Sequence, residues 1–114
     1  MTMVTLDVRS LEETLADVAA SMESGHASEP RFSFATPQLL FRLLSGRRWD
    51  LLRTMAGAGP LSLREAARRV GRDVKSVHGD VHALLDVGLL QKTVDDRIVF
   101  PFDAVHVDFV LKAA

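Results

Sequence analysis

The chain has no cysteine, no tyrosine and a single tryptophan among 114 residues. Without cysteine there is neither a disulfide nor a cysteine-ligated zinc centre, which fits a reducing compartment. No apolar run approaches the roughly 20 residues that a membrane-spanning helix needs. The opening stretch Met1-Thr-Met-Val-Thr-Leu-Asp7 lacks the basic start and long apolar core of a secretory signal, so a cytoplasmic, membrane-free protein is expected. Also missing are a Gly-rich phosphate loop, a nucleophile elbow and a convincingly placed carboxylate pair. Ser, His and Asp occur without a local catalytic signature. Neither enzymatic activity nor a cofactor is expected.

What is present is an ordinary globular composition, 47% apolar and 25% charged, in a chain long enough for one modest core. The formal charge of −1 conceals a division along the chain. Residues 1–30 carry one Arg against six acids, whereas residues 31–92 carry eleven Arg or Lys against five. Residues 93–114 return to two against four. Phosphate attraction depends on local field more than on the total, so the middle segment is the one suited to nucleic acid.

The local signals read in order. Ser10-Leu-Glu-Glu13 is a capping box that opens a helix. Leu11, Leu15, Val18, Ala19 and Met22 fall on one stripe of that helix, and Glu12, Glu13, Asp17 and Glu23 make its other face acidic. Gly25 to Pro30 reads as a loop. Residues 1–30 are therefore expected to be an amphipathic helix and linker, serving dimerisation or a partner, ahead of a domain at 31–114. Arg31 to Ala35 alternates like a brief strand. Thr36-Pro37 caps a helix through Leu44, and Arg47 to Met55 forms another. Trp49 there is expected to be core with a half-exposed edge.

The most informative stretch is Leu61 to Leu89. Ser62-Leu-Arg-Glu65 is a second capping box, with Leu63, Ala66, Ala67 and Val70 as the buried side of a short helix. Gly71 sits where helices stop in a left-handed conformation, and Asp73 can cap a second helix. Val74, Val77, Val81, Leu84 and Leu85 share one face of that helix. Lys75, Ser76, His78, Gly79 and His82 fall largely on the other. Gly88 ends it, and Leu89 to Val94, the turn at Asp95-Asp96 and Arg97 to Phe100 make a hairpin. Val105 to Leu111 alternates as one more strand.

This order predicts a mainly α fold with a small β-wing, a winged helix-turn-helix whose second helix enters a DNA major groove. Lys75, Ser76, His78 and His82 are placed to reach base edges or phosphates. Arg68, Arg69 and Arg72 surround the helix start, and Arg97 is the cation of the wing tip. His78 and His82 are four residues apart, as paired metal ligands can be. Gly79 follows His78 where a catalytic zinc helix would have Glu, and Asp80, His26 and His106 have no telling spacing, so no metal is expected. The expected partner is duplex DNA, bound by a homodimer on a two-fold site. The competing reading is a protein-interaction module in which the winged helix or the acidic N-terminal helix holds a partner such as a small basic protein.

From Phe34 to about Val107 the chain resembles small bacterial and archaeal winged-helix proteins, predicted transcriptional regulators of the MarR-like type. The resemblance rests on Leu44-Ser-Gly-Arg-Arg-Trp-Asp-Leu-Leu52, Gly59-Pro-Leu-Ser62, Glu65 to Leu84, Gly88-Leu89 and Pro101-Phe-Asp-Ala-Val105. It implies a regulator of its own operon, and an antitoxin where a small toxin is encoded alongside. Arg72, Lys75, Ser76 and His78 match the turn and recognition helix of such proteins. Gly79 and His82 stand where that pattern leads one to expect basic residues.

Overall fold

A computed structural model describes residues 2–24 and 30–111. The chain is a mixed α/β fold made of two compact units. One comprises Leu43–Asp103 with Thr2, and the other Met3–Arg42 with the chain from Ala104 onward.

The second unit is built on a parallel sheet. Strand β1 (Met3–Val8) is central, flanked by β2 (Arg31–Phe34) and β5 (Ala104–Asp108). Asp7 lies opposite Ser33 on one side and Thr5 opposite His106 on the other. Parallel neighbours need a crossover, and helix α1 (Leu11–Ser24) provides it between β1 and β2. Both faces of β1 are buried, Val4 and Leu6 on one and Thr5 and Asp7 on the other. The buried Asp7 carboxylate is paired with Arg31 at 2.9 Å and Arg9 at 3.3 Å, and Arg9 also donates to Ser33 Oγ. Helix α2 (Pro37–Leu43) starts at Thr36, whose Oγ1 accepts the Leu39 N–H.

These observations correct the sequence reading in two respects. The chain is not mainly helical with only a wing, because residues 3–8 form a central strand. Their alternation of apolar residues with Thr5 and Asp7 looks half-exposed in sequence, yet, as the central strand, β1 is buried on both faces. Nor does the fold divide after residue 30, since β5 pairs with β1 and draws the C-terminal segment into the N-terminal unit. The expected helix at 11–24 is present, and Ser10 Oγ accepts the Glu13 N–H at 3.1 Å. Its apolar stripe is not covered: Leu11, Leu15, Val18 and Met22 are 50–78% exposed. The expected loop lies, up to residue 29, outside the described residues, as does His26.

The first unit follows its local signals closely. Helices α3 (Gly46–Met55), α4 (Leu63–Val70) and α5 (Val74–Val87) precede a hairpin of β3 (Gln91–Lys92) and β4 (Ile98–Val99). Leu51, Leu52, Met55, Ala66, Ala67, Val77, Val81, Leu84, Leu89, Leu90, Ile98 and Phe100 are its buried core. Trp49 is half-buried. Leu61 exchanges both backbone hydrogen bonds with Ile98 at 2.8 Å, so the segment before α4 is stitched to the hairpin. The paired strands are shorter than the alternation at 89–94 and 97–100 suggests.

Caps set the boundaries of α4 and α5. Ser62 Oγ accepts the Glu65 N–H at 3.1 Å, and Asp73 Oδ1 accepts the Ser76 N–H at 2.8 Å. Gly71 (φ 71°) and Gly88 (φ 90°) take the left-handed conformation that ends each helix. Replacing Asp73 by Ala is expected to cost about 1 kcal/mol, read as a lowered midpoint in thermal or urea unfolding. An unchanged midpoint would mean that the cap adds nothing to α5.

Candidate nucleic-acid interface

The turn Gly71-Arg72-Asp73 joins α4 to α5 and fixes how far α5 can turn about its own axis. Its apolar side carries Val77, Val81 and Leu84, and Asp80 lies among them at 3% exposure. A lone carboxylate there would be costly, and two arginines meet it. Arg48 Nε, from α3, donates to Asp80 Oδ1 at 3.0 Å, while Arg72 Nη2 donates to Oδ2 at 2.7 Å. Burial pushes the Asp80 carboxyl up. The hydrogen bonds from Arg48 and Arg72, with the nearby charges of Arg72 and Arg47, outweigh this and hold it below its ordinary value. Arg48 Nη1 also donates to the Leu43 carbonyl at 3.1 Å. One buried acid thus ties α3, the turn and α5 together.

Arg72, expected at the DNA, is spent on this network. Its Nη2 also donates to Ser76 Oγ at 2.6 Å, and its side chain is 19% exposed. Ser76 is half-buried and engaged by the same guanidinium. Both are part-buried around the start of α5 and tied through the Arg72 guanidinium to Asp80. The signal that could have revealed this was Asp80 itself: an acid in register with Val77, Val81 and Leu84 calls for a cationic partner.

The remaining expected residues face outward. Lys75, His78, Gly79 and His82 are exposed along α5. The imidazoles of His78 and His82 lie side by side, with centroids 4.1 Å apart. They line a cavity of about 190 Å³ between α5 and the hairpin, together with Lys92, Asp96 and the apolar Leu63, Val81, Leu85 and Ile98. Among the described residues, no group of three or more His, Asp or Glu side chains is arranged to hold a metal ion.

Arg68 and Arg69 are exposed on α4, and both are paired with Glu65. Hydrogen bonds from these two arginines hold the Glu65 carboxyl at about 2, so it stays ionised and offsets part of their charge. Of the two capping-box hydrogen bonds, the one from the Glu65 N–H to Ser62 Oγ is present among the described residues, while the Glu65 carboxylate is taken up by Arg68 and Arg69. At the hairpin tip Asp96 takes φ 63°, Arg97 pairs with Asp95 at 3.4 Å and Lys92 with Asp96 at 3.3 Å. Thr93 donates its hydroxyl hydrogen to Asp95 and thereby lowers that carboxyl's pKa. The tip is close to neutral. Lys75 on α5 takes part in none of these pairs and is exposed, as is Arg64 one turn before Arg68 on α4.

No helix among the described residues is long and apolar enough to cross a membrane. Among curated proteins none matches the sequence. One protein-family model, HVO_A0114, matches residues 43–107, which takes in α3, α4, α5, the hairpin and most of β5. That match spans more than half of the chain, which therefore belongs to the HVO_A0114 family.

Proposed function

We propose that the protein is a winged helix-turn-helix regulator that binds duplex DNA and represses transcription, its own included. In this reading α4 and α5 are the helix-turn-helix, α5 is the recognition helix, and the β3–β4 hairpin is the wing. A single observation carries it: α5 is locked on one side by Asp80 and its apolar neighbours, and presents Lys75, His78, Gly79 and His82 outward on the other. A rigidly held helix with a bare polar face suits insertion into a groove. Lys75 supplies charge, and the two imidazoles supply hydrogen bonds to base edges or phosphates. The excess of cations in residues 31–92 supports the same reading. The near-neutral hairpin tip gives the wing a minor share of the phosphate contacts. The protein acts in the cytoplasm as a MarR-like homodimer on a two-fold site.

Titrating isotope-labelled protein with duplex DNA tests the placement. Amide shift changes are expected to concentrate in residues 73–86, with weaker ones at 92–97. Changes confined to residues 3–24 would contradict it.

The uncovered stripe of α1 favours a second reading. Leu11, Leu15, Val18 and Met22 lie beside Glu12, Glu13 and Asp17, a surface suited to an apolar groove rimmed by basic residues. An antitoxin that holds a small basic toxin would use such a surface. The two readings occupy different elements and can coexist in one regulator.

A further inference from the structure

Gly79 stands in the middle of the 14-residue helix α5, at the centre of its exposed face. Glycine in a helix interior is among the least favourable choices. Among the described residues nothing asks for it: a Cβ at Gly79 would meet no atom within 4 Å beyond its chain neighbours and its own helix backbone, and the residue is not in the left-handed region. The contrast with Gly71 and Gly88 is direct, because their positive φ angles explain them from within the chain. The neighbouring side chains leave the spot bare. The His78 and His82 rings lie next to each other, tilted by 41°, and line the cavity beside the hairpin, and Lys75 lies one turn earlier.

We infer that Gly79 is the point at which the duplex approaches α5 most closely. A missing side chain lets base edges or sugar-phosphate come against the helix backbone, with Lys75 on one side and the two imidazoles on the other. The inference rests on the DNA reading above and adds to it a specific point of contact. It makes Gly79 a positioning residue, one that sets the depth of α5 in the groove and forms no bond of its own. The missing basic residue at this position is then a feature of the docking geometry.

The test compares wild type with Gly79→Ala and Gly79→Leu by thermal unfolding and by anisotropy titration with a labelled duplex from upstream of the gene. Both variants are expected to melt at or above the wild-type temperature, since the site is open and both residues favour helix over glycine. Affinity is expected to fall with side-chain size, several-fold for Ala and by about tenfold or more for Leu, equivalent to 1.4 kcal/mol per decade. Equal affinity for all three proteins would overturn the assignment while leaving the DNA reading intact. So would a lowered melting temperature for Ala, which would place the glycine's role inside the fold. Failure of the wild type to bind any duplex at low salt would remove the DNA reading and this inference with it.

Discussion

Replacing Asp80 by alanine is expected to cost about 3 kcal/mol of stability, a large share of the ~5–15 kcal/mol that holds a typical domain together. The carboxylate is buried and accepts from Arg48 and Arg72 at 3.0 and 2.7 Å. Its removal leaves two partly covered guanidiniums facing each other, and Arg72 Nη1 is already buried without a partner among the described residues. Breaking a buried pair by deleting one member costs far more than the pair contributes, because the remaining charge stays desolvated. The melting temperature should drop by roughly 10–20 °C. Asp80→Asn keeps the shape and one acceptor, and should fall between the variant and wild type. A melting temperature within a degree or two of wild type for Asp80→Ala would show that the network is incidental.

The same carboxylate gives a pH signature. Its folded pKa lies below the ordinary value of 3.8. A depressed carboxylate pKa contributes stability that is fully present above the unfolded value and is lost as pH falls through the folded one. Wild type should therefore lose stability in the acid range below about pH 4 more steeply than Asp80→Asn. Parallel profiles for the two proteins would assign acid unfolding to other carboxylates.

The second large effect concerns binding. Combining Lys75→Ala with Arg68→Ala is expected to weaken binding to all duplexes by roughly 10- to 100-fold at low salt. The same change should lower the slope of log affinity against log salt by about two. Lys75 is exposed and outside the ion pairs of its face, and Arg68 is the more exposed of the two arginines on Glu65. Neither holds the core, so the fold should be little changed. Arg72, which the sequence brings equally to mind, would be a poor probe because its substitution breaks the Asp80 network. An unchanged slope in the double variant would remove α4 and the start of α5 from the docking face.

The contrast between Lys75 and Arg72 shows what was legible in the chain. Ser62, Gly71, Asp73 and Gly88 act through backbone groups three or four residues away, so α4, the turn and α5 were readable at almost their true limits. The outward face of α5 was readable for the same reason, since helical period alone separates Lys75, His78 and His82 from Val77, Val81 and Leu84. Arg72 and Ser76 were not, because their orientation depends on Asp80 and, through it, on Arg48 in another helix. Strand β1 escaped notice because its partners are parallel and distant, with β5 about a hundred residues away. A polar pair such as Thr5 and Asp7 signals solvent unless those neighbours are known. The stripe on α1 was legible as a pattern, and in the fold it lies open.

The proposed role of α5 is to carry the protein to specific duplex DNA. Fluorescence anisotropy with a labelled duplex from upstream of the gene, beside a scrambled duplex of equal composition, tests it most directly across a salt series. Tighter binding to the native duplex is expected, with affinity for both that falls as salt rises. No binding to either duplex at low salt would contradict it, and would turn attention to the acidic, apolar face of α1 as the working surface.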